Sequence, residues 1–288
     1  MTGRAALEEL TAATGSPEAA RWILAEALGV GPAALAAAPA EPVPEAALAA
    51  ARRMAARRAG GEPLQHVLGS WGFRRLDVLC DRRALVPRPE TEVVVEVALE
   101  HLAQWPPAPG ALVAADLGTG SGVIALSLAA EGPATLEVWA TERSPAALEL
   151  ARANLERVAR DLPASARRVR MVAGSWFEPL PGRLRGELAL VVSNPPYVSA
   201  SEWATLDPEV RDHDPYEALV AGPSGLEALG SVLGEAPAWL APGGAAVVEI
   251  APHQAGEARS LAARLGYVAV EVRPDLAGRD RVLVGRRP

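Results

Sequence analysis

A chain of 288 residues, 50% hydrophobic and 22% charged, suffices for one large or two ordinary domains around a real core, which excludes a disordered protein. Its net charge of −7, with arginine as the only basic residue besides four histidines, suits a nucleic acid backbone poorly. The single cysteine, Cys80, excludes an intrachain disulfide and a multi-cysteine metal site. No stretch approaches the roughly 20 apolar residues of a membrane-spanning helix, and the polar, acidic N-terminus has no signal-peptide core, so a cytoplasmic protein without membrane partners is expected.

The chain opens with helical spacing. "GRAALEELTAAT", "SPEAARWILAEAL" and "PEAALAAARRMAARRAG" place apolar residues three and four apart. Ser16-Pro17-Glu18 supplies a cap residue followed by a first-turn proline. The proline-rich "AAAPAEPVPEA" reads as a connection, so a small helical bundle is expected to about residue 60. Next, "FRRLDVLC" and "ALV" are strand-like runs around Asp81-Arg82-Arg83, which predicts a hairpin turning there. "PRPE" breaks the chain, and "TEVVVEVALEHLAQ" resumes with helical length. From residue 111 strands and helices alternate. "ALVAADL", "LEVWAT", "RVRMVA", "LALVVS", "AAVVEI", "YVAVEV" and "RVLVG" read as strands, "SGVIALSLAAE" and "SPAALELARANLERVAR" as helices. That alternation predicts a doubly wound α/β domain, its mainly parallel sheet covered on both faces.

In such a sheet, ligands bind beyond the carboxyl ends of the strands. The first strand ends "AADLGTGSG", where Gly118, Gly120 and Gly122 permit a tight turn and a close backbone approach. Asp116 precedes them, and Glu142 ends the second strand, placed to accept from a ribose diol. A dinucleotide site would need glycine where Val123 stands. The loop resembles instead the S-adenosylmethionine loop of Rossmann-like methyltransferases, whose cationic, diol-bearing ligand suits two acidic positions. Trp176 and Phe177 follow the third strand, where adenine lies in that fold. Either is a ligand contact or a core residue, with Trp176 favoured for the ligand.

The fourth strand, "LALVVS", delivers Asn194-Pro195-Pro196-Tyr197. Two prolines terminate a strand and stiffen the chain beyond it. One reading is a strand-ending turn. The other is chemical: a planar NH2 group is a poor nucleophile because its lone pair is delocalised. The Asn194 side-chain oxygen and the Pro195 carbonyl would accept from its two N–H bonds, returning electron density to nitrogen, while Tyr197 packs on its flat face. "NPPY" so placed resembles amino-methyltransferases of planar amides and exocyclic amines.

Taken with "RRAGGEPLQHVLGSWGF", "ALVPRPETEVVVEVAL", "DLGTGSGVIALSLA", "PEVRDHDPYEAL", "GPSGLEAL", "LAPGGAAVVEI" and "GRDRVLVGRR", the motif resembles the HemK-type peptide chain release factor glutamine methyltransferases over nearly the full length. The resemblance implies a Rossmann-like class I methyltransferase domain over residues 89–288. It implies a β-hairpin linker over 69–88 and a helical release-factor-binding domain over 1–68. It implies S-adenosylmethionine as donor, S-adenosylhomocysteine as product and no metal. The acceptor it implies is the side-chain amide of the glutamine in the Gly-Gly-Gln loop of release factors, in translation termination. The donor site implied is Asp116, Gly118, Thr119, Gly120, Ser121, Gly122, Glu142, Trp176 and Asn194. Asn194, Pro195, Pro196 and Tyr197 would act on the glutamine, with Pro89, Glu90 and Thr91 of the "PRPETE" loop beside it. A monomer without stable nucleic acid binding is expected. The alternative is an adenine or guanine exocyclic-amine methyltransferase of nucleic acid. Glu142 stands where aspartate is common in the family, and "RDHDPYEAL" departs from the usual form of its loop.

Other residues read as structural. His66, His101, His213 and His253 lack metal-ligand spacing, although His213, in an acidic loop, is a functional candidate. Cys80 reads as a buried thiol, and "ARRMAARR" as a solvated helix face.

Overall fold

The computed structural model describes residues 1–37, 40–106 and 112–288. Residues 38–39 of the proline-rich connection and residue 111 of the first expected sheet strand lie outside the described residues. The chain divides into two compact units, residues 1–71 with 207–213, and residues 72–206 with 214–288. The segment 207–213, which the sequence reading leaves in the second domain, belongs to the first unit, where Arg58 Nη1 donates to Glu209 Oε2 at 2.6 Å.

The first unit holds α1 (Gly3–Thr14), α2 (Pro17–Leu28), α3 (Pro32–Ala37), α4 (Glu45–Ala59) and α5 (Leu64–Leu68). Ser16 caps α2 by accepting from the Ala19 amide at 3.1 Å, and Pro17 occupies its first turn. Gly15 and Gly29, both in the left-handed region, end α1 and α2. The 3.6-residue spacing of Leu10, Ile23, Leu24, Leu48 and Ala51 becomes a shared core.

A two-stranded hairpin follows, β1 (Ser70–Phe73) and β2 (Leu76–Leu79). It turns at Arg74-Arg75, not at residues 81–83 as the sequence predicts. The cause is Arg74, held at φ 50° while its guanidinium bonds Glu131 at 2.7 Å and its amide bonds Glu92 at 3.0 Å. "ALV" is not a strand: Val86 is buried and donates its N–H to Asp214 at 3.2 Å. "PRPE" is not an interruption either, because α6 (Pro89–Ala103) starts on Pro89, with Arg88 as its flanking residue.

The second unit continues with β3 (Leu112–Leu117), α7 (Val123–Glu131), β4 (Leu136–Glu142), α8 (Pro145–Asp161), α9 (Pro163–Ala166) and β5 (Val169–Ala173). β6 (Leu188–Ser193) and β7 (Val198–Ser199) follow; α10 (Pro208–His213) carries the segment of the first unit. Next come α11 (Tyr216–Leu219), β8 (Val220–Gly222), α12 (Glu227–Glu235), β9 (Leu240–Glu249), α13 (Ala255–Arg264), β10 (Val268–Pro274) and β11 (Asp280–Arg286). The "RDHDPYEAL" segment, expected as a loop, thus carries the end of α10 and all of α11.

The main sheet has the order β10-β11-β9-β6-β3-β4-β5. β9, β6, β3, β4 and β5 run parallel, and β11 is antiparallel to both its neighbours. Parallel strands buried on both faces read as continuous apolar runs, as "LALVVS" does. α12 and α13 cover Ala115, Leu117, Val191, Ala246 and Val248, while α6 and α7 pack against β6 and β4. Strand order reverses between β3 and β6, so their carboxyl ends frame the crevice where such sheets bind ligands. Among the described residues no helix is long and apolar enough to cross a membrane.

Candidate active site

The loop after β3 turns on three glycines in the left-handed region, Gly118, Gly120 and Gly122, at φ 69°, 57° and 87°. A Cβ on Gly118 would stand 3.3 Å from Trp176 Cζ3, and one on Gly122 3.1 Å from Met171 Cε. Asp116 organises the loop from beneath. Its Oδ2 accepts from the Thr119 hydroxyl at 2.5 Å and from the Ala125 amide at 3.1 Å. Complete burial pushes its carboxyl up to about 7 against those two bonds, and Oδ1 has no hydrogen-bond partner among the described residues. Asn154 of α8 braces the loop, donating to the Ser121 carbonyl at 2.9 Å and to the Leu79 carbonyl at 3.2 Å while accepting from the Leu79 amide at 2.7 Å.

Glu142 closes the loop from β4. One carboxylate oxygen accepts from the Gly120 amide at 2.9 Å and the other from the Ser144 amide at 2.8 Å. A carboxylate has about four lone-pair sites. One per oxygen therefore remains for a neighbour in the cavity. Trp176 adopts φ 47°, an unusual conformation for a bulky residue, and its carbonyl accepts from the Thr141 hydroxyl at 2.8 Å. Its ring lines the cavity, whereas Phe177 stacks on Trp239 in the core at a centroid distance of 5.6 Å. The ambiguity between these two aromatics thus separates by position.

β6 ends beside this loop, with the Ser193 hydroxyl donating to the Leu117 carbonyl at 2.6 Å. Asn194 Nδ2 donates to Thr91 Oγ1 at 3.1 Å, and the Thr91 hydroxyl donates to Glu249 Oε2 at 2.7 Å. Glu249, at the end of β9, is 1% exposed, and burial pushes its carboxyl up to about 7. Burial also raises the Tyr197 hydroxyl, which faces Glu249. Gln254 staples the segment behind: its Nε2 donates to the Tyr197 carbonyl at 2.9 Å and to the Gly225 carbonyl at 3.1 Å. Arg88 pairs with the buried Asp214 at 2.6 Å and so holds the chain before α6.

These elements enclose a cavity of about 250 Å³. Its lining brings together Thr91, Gly118, Thr119, Gly120, Ser121, Glu142, Trp176, Asn194 and Pro196. Asp116, Gly122, Pro195, Tyr197, Pro89 and Glu90 are not in that lining. Asp116 acts beneath the loop, Gly122 ends it against Met171 and Ala151, and Pro89 and Glu90 form the first turn of α6, where Glu90 pairs with Arg279 at 3.0 Å. His213 stands in the first unit, near Gly61 and Glu62. Cys80 is buried, its thiol pushed up to about 12. Sequence reasoning missed Asn154, Glu249 and Gln254. Glu249 did leave a signal, as the lone acid within the apolar run "GAAVVEI".

Residues 3–69 match the family described as PrmC N-terminal domain, and residues 95–206 that described as methyltransferase small domain. The release factor glutamine methyltransferase of Geobacter sulfurreducens is 41% identical over 234 residues, 81% of this chain and 76% of that one. That of Bordetella pertussis is 41% identical over 244 residues, covering 84% and 85%. That of Deinococcus radiodurans is 46% identical over 201 residues, covering 69% and 66%. Among solved structures, a methyltransferase from Pyrococcus furiosus aligns with TM-score 0.52 at 22% identity, over 75% of this chain and 91% of that one. The Thermus thermophilus 16S rRNA N2 G1207 methyltransferase in complex with AdoMet and guanosine aligns with TM-score 0.53 at 19% identity, over 76% and 50%. These two likenesses show the methyltransferase fold.

Proposed function

Because the chain belongs to the release factor glutamine methyltransferase family, we propose that it methylates the side-chain amide nitrogen of the glutamine in the Gly-Gly-Gln motif of peptide chain release factors. The observation that carries this reading is the shared cavity: Asn194 and Pro196 line the same space as Gly118, Gly120, Glu142 and Trp176.

The donor set fits S-adenosylmethionine. Glu142 keeps one free lone pair on each oxygen for a ribose diol. Gly118 lacks the Cβ that would push the Trp176 ring, and that ring would hold the adenine. Thr119, Gly120 and Ser121 would hold the amino acid end, over the brace of Asp116 and Asn154. When bound, this group supplies an electrophilic methyl carbon on a cationic sulfur.

The chain's own residues prepare the acceptor. An amide nitrogen is unreactive while its lone pair is shared with the carbonyl. The Asn194 side-chain oxygen and the Pro195 carbonyl accept from its two N–H bonds and orient the lone pair towards the donor. As nitrogen gains positive charge, both acceptors bind it more tightly, so they stabilise the transition state more than the ground state. The prolines and Gln254 hold these acceptors still, which lowers reorganisation. The proton leaves after transfer, so no strong base is required. The helical segment 1–68 docks the release factor, in the cytoplasm where translation terminates.

The test is mass spectrometry of the Gly-Gly-Gln peptide after incubation of release factor with enzyme and donor. A gain of one methyl confined to that glutamine supports the reading, with Asn194→Ala abolishing it. Label entering DNA or ribosomal RNA, with none in release factor, overturns it.

A further inference from the structure

The methyl transfer above does not use Glu249, yet this carboxyl, at the end of β9, is 1% exposed. A buried carboxyl group is expensive, so its neighbours carry information. Thr91, itself 3% exposed, stands between it and Asn194. The three form a chain of Asn194 Nδ2 to Thr91 Oγ1 at 3.1 Å and Thr91 Oγ1 to Glu249 Oε2 at 2.7 Å.

The direction of this chain follows from proton counting. An ionised carboxylate only accepts. A hydroxyl has one proton, and Thr91 gives it to Glu249, so the Thr91 oxygen can only accept on its other side. Of the two ends of a carboxamide, only the NH2 donates, so Asn194 must turn Nδ2 to Thr91 and Oδ1 away from it. A carboxamide is nearly symmetric in shape, and packing alone would not choose between its ends.

We propose that Thr91 and Glu249 are positioning residues that fix the polarity of the Asn194 carboxamide, so that it offers an acceptor and not a donor to the substrate NH2 group. The proposal rests on the reading of Asn194 as acceptor for the glutamine amide. It reassigns Thr91 from substrate contact to support, and it gives the buried glutamate a role.

Protonation of Glu249 reverses the chain. The neutral carboxyl can donate to Thr91, freeing the hydroxyl to donate to Asn194 Oδ1. The carboxamide then turns, and its NH2 faces the substrate NH2, donor against donor. The groups facing Glu249 are Thr91 and Glu90 of α6, Tyr197 after β6 and Arg281 of β11. Burial and Glu90 raise its carboxyl; Thr91, Arg281 and Tyr197 lower it; the balance, at about 7, puts the reversal near neutrality. Activity therefore rises as pH rises through about 7, when Glu249 loses its proton.

Two measurements test this. The first is the pH profile of kcat for release factor methylation. Thr91→Val, which removes the hydroxyl at constant shape, is expected to lower kcat about 10- to 100-fold, the loss of one hydrogen bond to a charged group. Its KM for the donor stays within about twofold, and Thr91→Ser recovers most of the lost rate. Glu249→Gln, which can donate as well as accept, loses the step near neutrality. The second measurement needs neither substrate nor variant activity. The Asn194 side-chain NH2 resonances, identified by their loss in Asn194→Asp, shift with a midpoint near pH 7 in the wild-type protein and not in Glu249→Gln. Static Asn194 resonances through that range, or a Thr91→Val enzyme with wild-type kcat and pH profile, overturn the proposal. A wild-type protein that shows the NMR titration but leaves release factor unmethylated refutes the proposed substrate while upholding the polarity chain.

Discussion

Replacing Glu142 by glutamine separates the two duties assigned to that side chain. In the protein each carboxylate oxygen accepts one backbone N–H, from Gly120 at 2.9 Å and Ser144 at 2.8 Å. A glutamine keeps one acceptor oxygen and presents an NH2 in place of the other. Whichever way it turns, one backbone donor faces another donor. A hydrogen bond to a charged group contributes about 1.5–3 kcal/mol, and an unsatisfied buried donor costs about 1–3 kcal/mol. The two describe the same loss from different sides, so about 3 kcal/mol of stability is at stake. At roughly 2–4 °C per kcal/mol, the expected fall in Tm is about 6–12 °C. Donor affinity falls separately, because one of the two spare acceptor positions for the diol disappears and the Gly120 turn loosens. Together these weaken Kd by about 10- to 100-fold, at about 1.4 kcal/mol per decade. Titration calorimetry with S-adenosylmethionine, beside a thermal melt without it, reads both. A Glu142→Gln protein that binds the donor within twofold of wild type would show that Glu142 serves the loop alone.

Three further outcomes come from the same geometry. Gly118→Ala forces an L side chain to φ 69° and sets a Cβ 3.3 Å from Trp176. It should cost about 1–2 kcal/mol and weaken donor binding, read from quenching of tryptophan fluorescence; unchanged binding refutes the coupling of loop and ring. Gln254→Ala leaves the Tyr197 and Gly225 carbonyls without their shared donor, so stability should fall by about 2 kcal/mol and kcat should drop while donor Kd stays constant. A changed Kd with constant kcat contradicts the brace. Burial raises the Asp116 carboxyl from 3.8 to about 7, so the folded protein binds more protons than the unfolded chain between those values, and stability falls as pH rises through the window. Asp116→Asn should flatten that slope in calorimetric melts from about pH 4 to 7, and superimposable curves would refute the assignment.

Much of the fold is local in origin and was readable. Ser16-Pro17 caps α2, the alternation after residue 111 gives parallel strands, and the Gly118–Gly122 turn needs backbone angles that only glycine adopts freely. The hairpin misled because its turn depends on Glu131 and Glu92, distant acids that hold Arg74 at an angle its own propensity disfavours. Pro87 to Glu92 looked like a loop because prolines mark both an interruption and a helix start, and only the chain beyond Pro89 decides.

The chemistry on offer is written in short stretches of the chain: a glycine turn with an acid on the next strand, and an asparagine held by two prolines. Those are short-range properties, set by which residues tolerate which backbone angles and which atoms donate or accept. What each polar group does follows from the packing of the folded chain. It put Trp176 in the cavity and Phe177 in the core, sank Asp116 beneath the loop, and ran Asn194 through Thr91 to Glu249 across 158 residues between threonine and glutamate. A hydrogen bond between distant strands leaves no periodicity in the chain, because its direction depends on where protons can go once both partners are buried.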